Sequence, residues 1–281
     1  MSIAIVTDSA AAIPPSIARD HEIEIVPMWL TIDGTSVREG EIGLDELLRY
    51  SDVKTSGPSP GEYETVIEER LRRARDGVVV LTIAAEMSST YEAAVLGAQA
   101  AGGRVRVIDT KTAAGAQALV VLAAAEVSER GGSLDSVVDA ALTAIPQMRL
   151  VATLPSLEHL VRSGRVPNIA GWAGRRLGLS PLFEFRDGRA RPLRPARGAG
   201  AAYDRILTRW RRERVPDARL HVAALHANAR LDAERLLERV QHDVEPATAF
   251  VADFGTVMVA HTGPGLVGLA WRWEPPPSPG S

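Results

Sequence analysis

Short hydroxyl and carboxyl side chains recur in pairs along this chain: Asp8-Ser9, Thr55-Ser56, Ser88-Ser89 and Asp109-Thr110, with His261 just ahead of Gly263-Pro264-Gly265. Hydroxyls beside helix N-termini, where free backbone N–H groups and the positive end of the helix dipole converge, favour a small anion such as a carboxylate or phosphate. Capping alone accounts for any single one of them. A cap needs one hydroxyl, however, so Thr55-Ser56 and Ser88-Ser89 each leave a second polar group near a helix start. Asp8 and Asp109 suit loop ordering, because an acid close to a bound anion disfavours it unless it orients other donors. His261 lies where glycines let a backbone approach a ligand closely, although a lone histidine is more commonly structural. Arg162, Arg165, Arg175 and Arg176 surround a Gly-rich stretch, 163–178, that reads as a mobile basic lid or a solvated loop.

Two letter patterns fail on physics. Gly57-Pro58-Ser59-Pro60-Gly61 satisfies the G-x-S-x-G elbow of serine hydrolases. That elbow needs an N–H after the serine for its oxyanion hole, and Pro60 has none. The pattern also needs a strand directly before the serine, and 53–57 reads as a polar loop. Gly263-Pro264-Gly265-Leu266-Val267-Gly268 matches the dinucleotide fingerprint, but the residues after it read as a strand and a proline-rich tail, with no helix and no acid at the required spacing. No Walker-type phosphate loop occurs.

The chain has 281 residues, 46% hydrophobic and 24% charged, with a net charge of −3. That composition supports an ordinary folded core, and the absence of a basic excess argues against nucleic acid. The cluster of arginines over 209–214 reads as the polar end of a helix. Absence of cysteine removes disulfides, thiolate catalysis and Cys-ligated metal centres, and the six histidines show no metal-ligand spacing with acids. The opening MSIAIVTDSA has no basic n-region or long apolar stretch, and no run reaches about 18 apolar residues, so a cytoplasmic protein without a transmembrane segment is expected. Transient membrane contact stays compatible with that expectation.

The elements that must hold these residues read as α/β. Apolar runs over 3–6, 78–83 and 105–108 predict buried parallel strands, each ending at one of the polar pairs and followed by a helical pattern. Residues 23–32 alternate and meet the turn signal Asp33-Gly34, predicting an extended arm or added sheet edge. Ser59 with Glu62 and Ser89 with Glu92 have capping-box spacing before helices over 60–75 and 90–101. Helices follow over 115–129 and 134–145. Beyond Pro146, strands over 149–153, 182–185, 189–193, 220–225, 247–251, 256–260 and 267–271 alternate with helices over 201–212 and 229–241. The expectation is an N-terminal α/β domain with a parallel sheet over 1–147, a C-terminal α/β domain with a mixed sheet over 148–273, a ligand between them, and a loose tail over 274–281.

Taken together, Thr7-Asp8-Ser9, Thr55-Ser56-Gly57-Pro58-Ser59, Met87-Ser88-Ser89-Thr90-Tyr91, Ile108-Asp109-Thr110, Gly164-Arg165-Val166, Arg197-Gly198 and His261-Thr262-Gly263-Pro264-Gly265 resemble the DegV family in order and spacing. That resemblance implies two α/β domains and a long-chain fatty acid in an apolar tunnel. Its carboxylate would be held by the matching Thr55, Ser56, Ser88 and His261, Ser89 joining them as an added donor, and Asp8, Ser9 and Asp109 are the residues expected to order the pocket. It further implies that the bound acid is presented to an ATP-dependent fatty acid kinase subunit that forms an acyl phosphate. Arg165 and Arg197 would support the transfer, and the chain itself would have no complete active site, metal or cofactor.

Leu154, Leu157, Leu182 and Phe183, with Ala170, Trp172 and Leu177 of the Gly-rich stretch, are the expected acyl-chain wall. Burying about 16 methylenes at roughly 0.8 kcal/mol each gives a gross drive of ~13 kcal/mol before binding costs. Two positions depart from the family pattern: Ser89 stands where glycine is frequent, and Ser180 where a lysine often precedes the proline. The first adds a donor to the pocket and the second removes a cation. The alternatives are a stand-alone acyl hydrolase using Ser88, His261 and Asp109 as a triad, and a sugar- or phosphate-binding domain pair.

Overall fold

The computed structural model describes residues 3–50, 52–73, 76–164 and 178–276. The first half opens with β1 (Ile3–Asp8), α1 (Pro15–Asp20) and β2 (Glu24–Val26), then β3 (Trp29–Ile32), β4 (Thr35–Arg38), α2 (Leu44–Leu47) and β5 (Val53–Ser56). It continues with α3 (Pro60–Arg73), β6 (Gly77–Thr82), α4 (Thr90–Gly97), β7 (Val105–Asp109), α5 (Ala114–Glu129) and α6 (Leu134–Ala144). Strands pair in parallel in the order β2-β1-β6-β7, as the continuous apolar runs require of a sheet covered on both faces. Residues 23–32 split in two: β2 joins this sheet, while β3 turns through Asp33-Gly34 into β4 and also pairs β5. The stretch over 53–57, read as a loop, therefore supplies a strand. It is stabilised as one because β3 offers it a free edge.

The second half contains β8 (Arg149–Thr153), α7 (Glu158–Ser163), β9 (Leu179–Arg186), β10 (Arg189–Arg197), α8 (Gly198–Arg212), β11 (Arg219–His226), α9 (Arg230–Asp243), β12 (Thr248–Asp253), α10 (Thr256–Thr262) and β13 (Val267–Glu274). Its sheet is mixed, in the order β10-β9-β8-β13-β11-β12, with only β11 and β12 parallel. Residues 256–260, expected as a strand, form α10 instead. Glu274, expected to begin the tail, closes β13, held by His221 Nε2 at 3.1 Å and Arg219 Nε at 3.4 Å. The arginines at the end of α8 are largely spent on neighbours: Arg209 bonds Glu184 at 2.8 Å and Arg211 bonds Asp243 at 2.7 Å.

Helix α5 is buried along its first twelve residues and touches β1 and β6 of one sheet and β11 and β13 of the other. A helix apolar on every side can be stable only in such a position. Gly115 permits the closest approach, since a Cβ there would collide with the side chains of Leu225 and Ala223. One core cluster consequently runs from the parallel sheet through α5 and α6 to the mixed sheet. Helices α3 and α4 cover the other face of the parallel sheet, and α8 and α9 the other face of the mixed sheet.

Candidate functional site

Asp8-Ser9 and Asp109-Thr110 lie where the parallel strands β1 and β7 end, Ser88-Ser89 lies before α4 on the segment leaving β6, and Thr55-Ser56 ends the antiparallel strand β5; their side chains have distinct duties. Asp8 is fully buried and accepts from Ala10 N (3.1 Å), Ile83 N (2.8 Å) and Gln117 Nε2 (3.2 Å). Burial pushes its carboxyl up to about 6 despite these donors. Asp109 accepts from Lys111 N (2.8 Å) and Ala85 N (3.2 Å). Both acids thus tie the loops after β1, β6 and β7 together. Ser9 accepts from Met28 N at 3.0 Å and donates to Glu39, whose other carboxylate oxygen accepts from Val257 N at 2.8 Å. Burial also raises the Glu39 carboxyl.

Glu39 explains the helix that sequence periodicity assigned to a strand. Thr256-Val257-Met258-Val259 is β-branched and strand-like, but the carboxylate of Glu39 caps the first turn. A Cβ on Gly255 would collide with this same carboxylate, so the glycine makes room for it. Helix α10 carries His261 in its last turn and ends at Gly263 with φ 70°. Side chains larger than hydrogen are barred there also by the ring of His159, 2.5 Å from a hypothetical Cβ.

The end of β5 links His261 to the start of α4. His261 Nε2 is 2.7 Å from Oγ1 of Thr55, on the strand β5. Two residues on, a Cβ at Gly57 would collide with Oγ1 of Thr90, so the end of β5 is pressed against the start of α4. There Ser88 Oγ accepts from Thr90 N at 3.3 Å and lies 2.7 Å from Thr90 Oγ1. Ser88, and not Ser89, is therefore the local cap; Ser89 makes no capping bond and is exposed, as is Ser56. The capping box predicted at Ser59 and Glu62 does form, with Ser59 N to Glu62 Oε2 at 2.8 Å and Glu62 N to Ser59 Oγ at 3.3 Å. The hydrolase alternative finds no support in these bonds: Ser88 is engaged with Thr90, His261 Nε2 with Thr55 and Asp109 with backbone.

An apolar cavity of about 50 Å³ adjoins the group. Its floor is Leu150, Ala152, Phe183 and Phe185 of the mixed sheet, with Met87, Leu160, Met258 and Thr262 among the residues above. Met87 immediately precedes Ser88, and Met258 and Thr262 bracket His261 on α10. This volume is below the roughly 300–1,000 Å³ of ordinary ligand pockets, so a long ligand must displace adaptable side chains such as the two methionines. Leu154 and Leu157 belong to the same core cluster without lining the cavity. Leu182 points to the opposite face of its strand, against α8, because it alternates with Phe183 and Phe185. Trp172 and Arg165 lie outside the described residues, with Ala170 and Leu177. Arg197 is exposed and stands at the N-cap position of α8. Among the described residues, no cluster of acids and histidines could hold a metal ion, and no helix is long and apolar enough to cross a membrane.

The sequence profile of the DegV family of uncharacterised proteins matches residues 2–274. The chain belongs to the DegV family. A DegV domain-containing protein of Streptomyces coelicolor is 34% identical over 273 residues, covering 95% of this chain and 97% of the relative. A Thermotoga maritima relative named fatty acid-binding protein is 26% identical over 279 residues, 96% of this chain and 97% of its own length. Among solved structures, that of the fatty-acid-binding DegV family protein from Thermus thermophilus aligns with a TM-score of 0.90 and 30% identity, covering 97% of this chain and 100% of that one. DegV proteins of known structure thus include fatty-acid binders with this two-part α/β fold. In this DegV chain, Glu39, Met87, Met258 and Phe185 join the site with little to mark them in the sequence. Only the spacing of Phe183 and Phe185, which places both on one face of a strand, was available as a signal.

Proposed function

We propose that this protein binds a long-chain fatty acid with its acyl chain between the mixed sheet and α10 and its carboxylate at Thr55, Ser56, Ser88, Ser89 and His261. The observation that carries this reading is the 2.7 Å pairing of Thr55 with His261 beside a cavity lined by apolar side chains. Hydroxyls and an imidazole supply donors for a carboxylate, and the cavity next to them supplies none, as an amphiphile requires. Relatives and structural neighbours that bind fatty acids support it.

The finer reading is that the protein is a carrier subunit without its own catalysis, acting in the cytoplasm. Its bound carboxylate would be offered to a kinase, and a carboxylate oxygen would take the γ-phosphoryl group of ATP, giving an acyl phosphate and ADP. Exposed Arg197, with Arg165, would then supply cations where charge gathers during transfer. Organic extraction and mass spectrometry of natively purified protein test the first step: a stoichiometric long-chain acid is expected. Absence of lipid, with no uptake of added fatty acid, overturns it.

A further inference from the structure

The apolar cavity has a far wall, and Phe185 supplies its largest side chain. Strand β8 runs antiparallel to both β9 and β13, with Thr153 opposite Val267 and Leu150 opposite Phe185. Thr262 and Leu266 precede Val267, so they flank the Thr153 end, near His261. Leu150 and Phe185 lie three residues further along β8, roughly 10 Å at about 3.3 Å per residue. Ala190 continues that row on β10, directly opposite Phe185. Large Phe185 and small Ala190 thus line the end of the cavity away from His261.

Beyond this row is a second space. A cleft of about 290 Å³ opens between the end of α6 and the β9–β10 hairpin, with Leu142, Ile145, Pro146 and Met148 on its apolar side. Phe185 lines both spaces. Its ring is therefore the partition between the smaller apolar cavity and the larger cleft. Charged Asp109, Lys111, Arg186 and Asp187 rim the outer cleft, so a methyl terminus that passed the partition would still meet apolar side chains before reaching them.

We propose that Phe185 sets the upper length of the acyl chain this protein accepts. The proposal rests on the fatty-acid reading above. With the carboxylate fixed near His261, the methyl end advances along the floor toward Phe185, and chains that would press on the ring are excluded. Shortening the ring side chain merges the cavity with the cleft and admits longer acids, while enlarging Ala190 brings the wall closer.

The test measures binding of lauric, palmitic, stearic, arachidic and behenic acids to delipidated wild-type protein, Phe185→Ala, Phe185→Leu and Ala190→Leu. Truncation at Phe185 should move the optimum to longer acids, with affinity rising about fourfold for each further methylene the merged space buries. Ala190→Leu, at a half-buried position, should move it to shorter ones. Phe185→Leu and Ala190→Leu keep the test valid if Phe185→Ala fails to fold. Wild-type binding with one length profile shared by all folded variants overturns the role of Phe185 alone. No binding of any acid by the wild type overturns the fatty-acid reading and this inference with it.

Discussion

Oγ1 of Thr55 and Nε2 of His261 are 2.7 Å apart, joining an antiparallel strand of the first half of the chain to the last turn of a helix in the second. Both side chains are half-buried, so the bond is formed at the boundary between solvent and the apolar cavity. Ser88 reaches the same neighbourhood through the contact of Gly57 with Thr90.

Thr55→Val and His261→Ala should each weaken fatty-acid retention by about 1–3 kcal/mol, the cost of removing one polar contact to a charged group. Ser88→Ala should act in the same direction. Fluorescent fatty-acid displacement measures the loss, and urea unfolding separates it from damage to the fold. Unchanged affinity in all three variants would assign these side chains to packing and capping.

Glu39 gives a second prediction. Glu39→Ala leaves Val257 N without its carboxylate and should cost about 1–3 kcal/mol of stability. It should also reduce fatty-acid affinity, because α10 positions His261. Glu39→Gln can still accept from Val257 N and donate to Ser9 Oγ, so it should retain most of both properties. Equal melting temperatures for wild type and Glu39→Ala would remove the capping role.

What was legible in the sequence follows the range of the forces involved. The parallel strands announced themselves because both faces are buried, leaving unbroken apolar runs such as Val78-Val79-Val80-Leu81. The α3 capping box was legible because its partners are three residues apart. Helix α10 was not, since its decisive cap, Glu39, precedes Val257 by 218 positions. Strand β5 has only four residues and depends on the edge of β3. At the site, polar residues could be placed at strand ends from sequence, but the pairing of Thr55 with His261 spans 206 positions and belongs to tertiary structure.

Substitution of the arginines tests the proposed division between carrying and transfer. Arg197 is exposed and away from the apolar cavity, so Arg197→Ala should leave fatty-acid affinity near that of the wild type. With a cognate kinase and ATP, acyl-phosphate formation should fall by on the order of a hundredfold, as for loss of one charge-stabilising group in a transition state. Arg165→Ala should behave likewise. Lost lipid binding with normal turnover of the remaining lipid would make these arginines ligand-holding or structural.

Asp8 makes stability depend on pH in the direction opposite to an ion-paired carboxylate. Its folded-state pKa is pushed to about 6 by burial, against an ordinary value near 3.9. Between these values the folded protein binds a proton that the unfolded chain does not, so unfolding free energy falls as pH rises. From pH 4 to pH 7 the loss should be about 2–3 kcal/mol, since each pH unit between the unfolded and folded pKa values removes about 1.4 kcal/mol. Glu39, also raised by burial, adds a change of the same sign. The protonated acid needs an acceptor, and Gln117 Oε1, buried without a hydrogen-bond partner, supplies one when the amide rotates, at the cost of the bond that Gln117 Nε2 donates to Thr7 Oγ1. Asp8→Asn should lower stability at every pH, since an amide must turn a donor toward one of the three N–H groups that the carboxylate now accepts. The pH slope, however, should shrink to the contribution of Glu39 and the remaining acids. Urea midpoints at several pH values between 4 and 7 measure it, and an undiminished slope in Asp8→Asn would show that other groups carry the dependence.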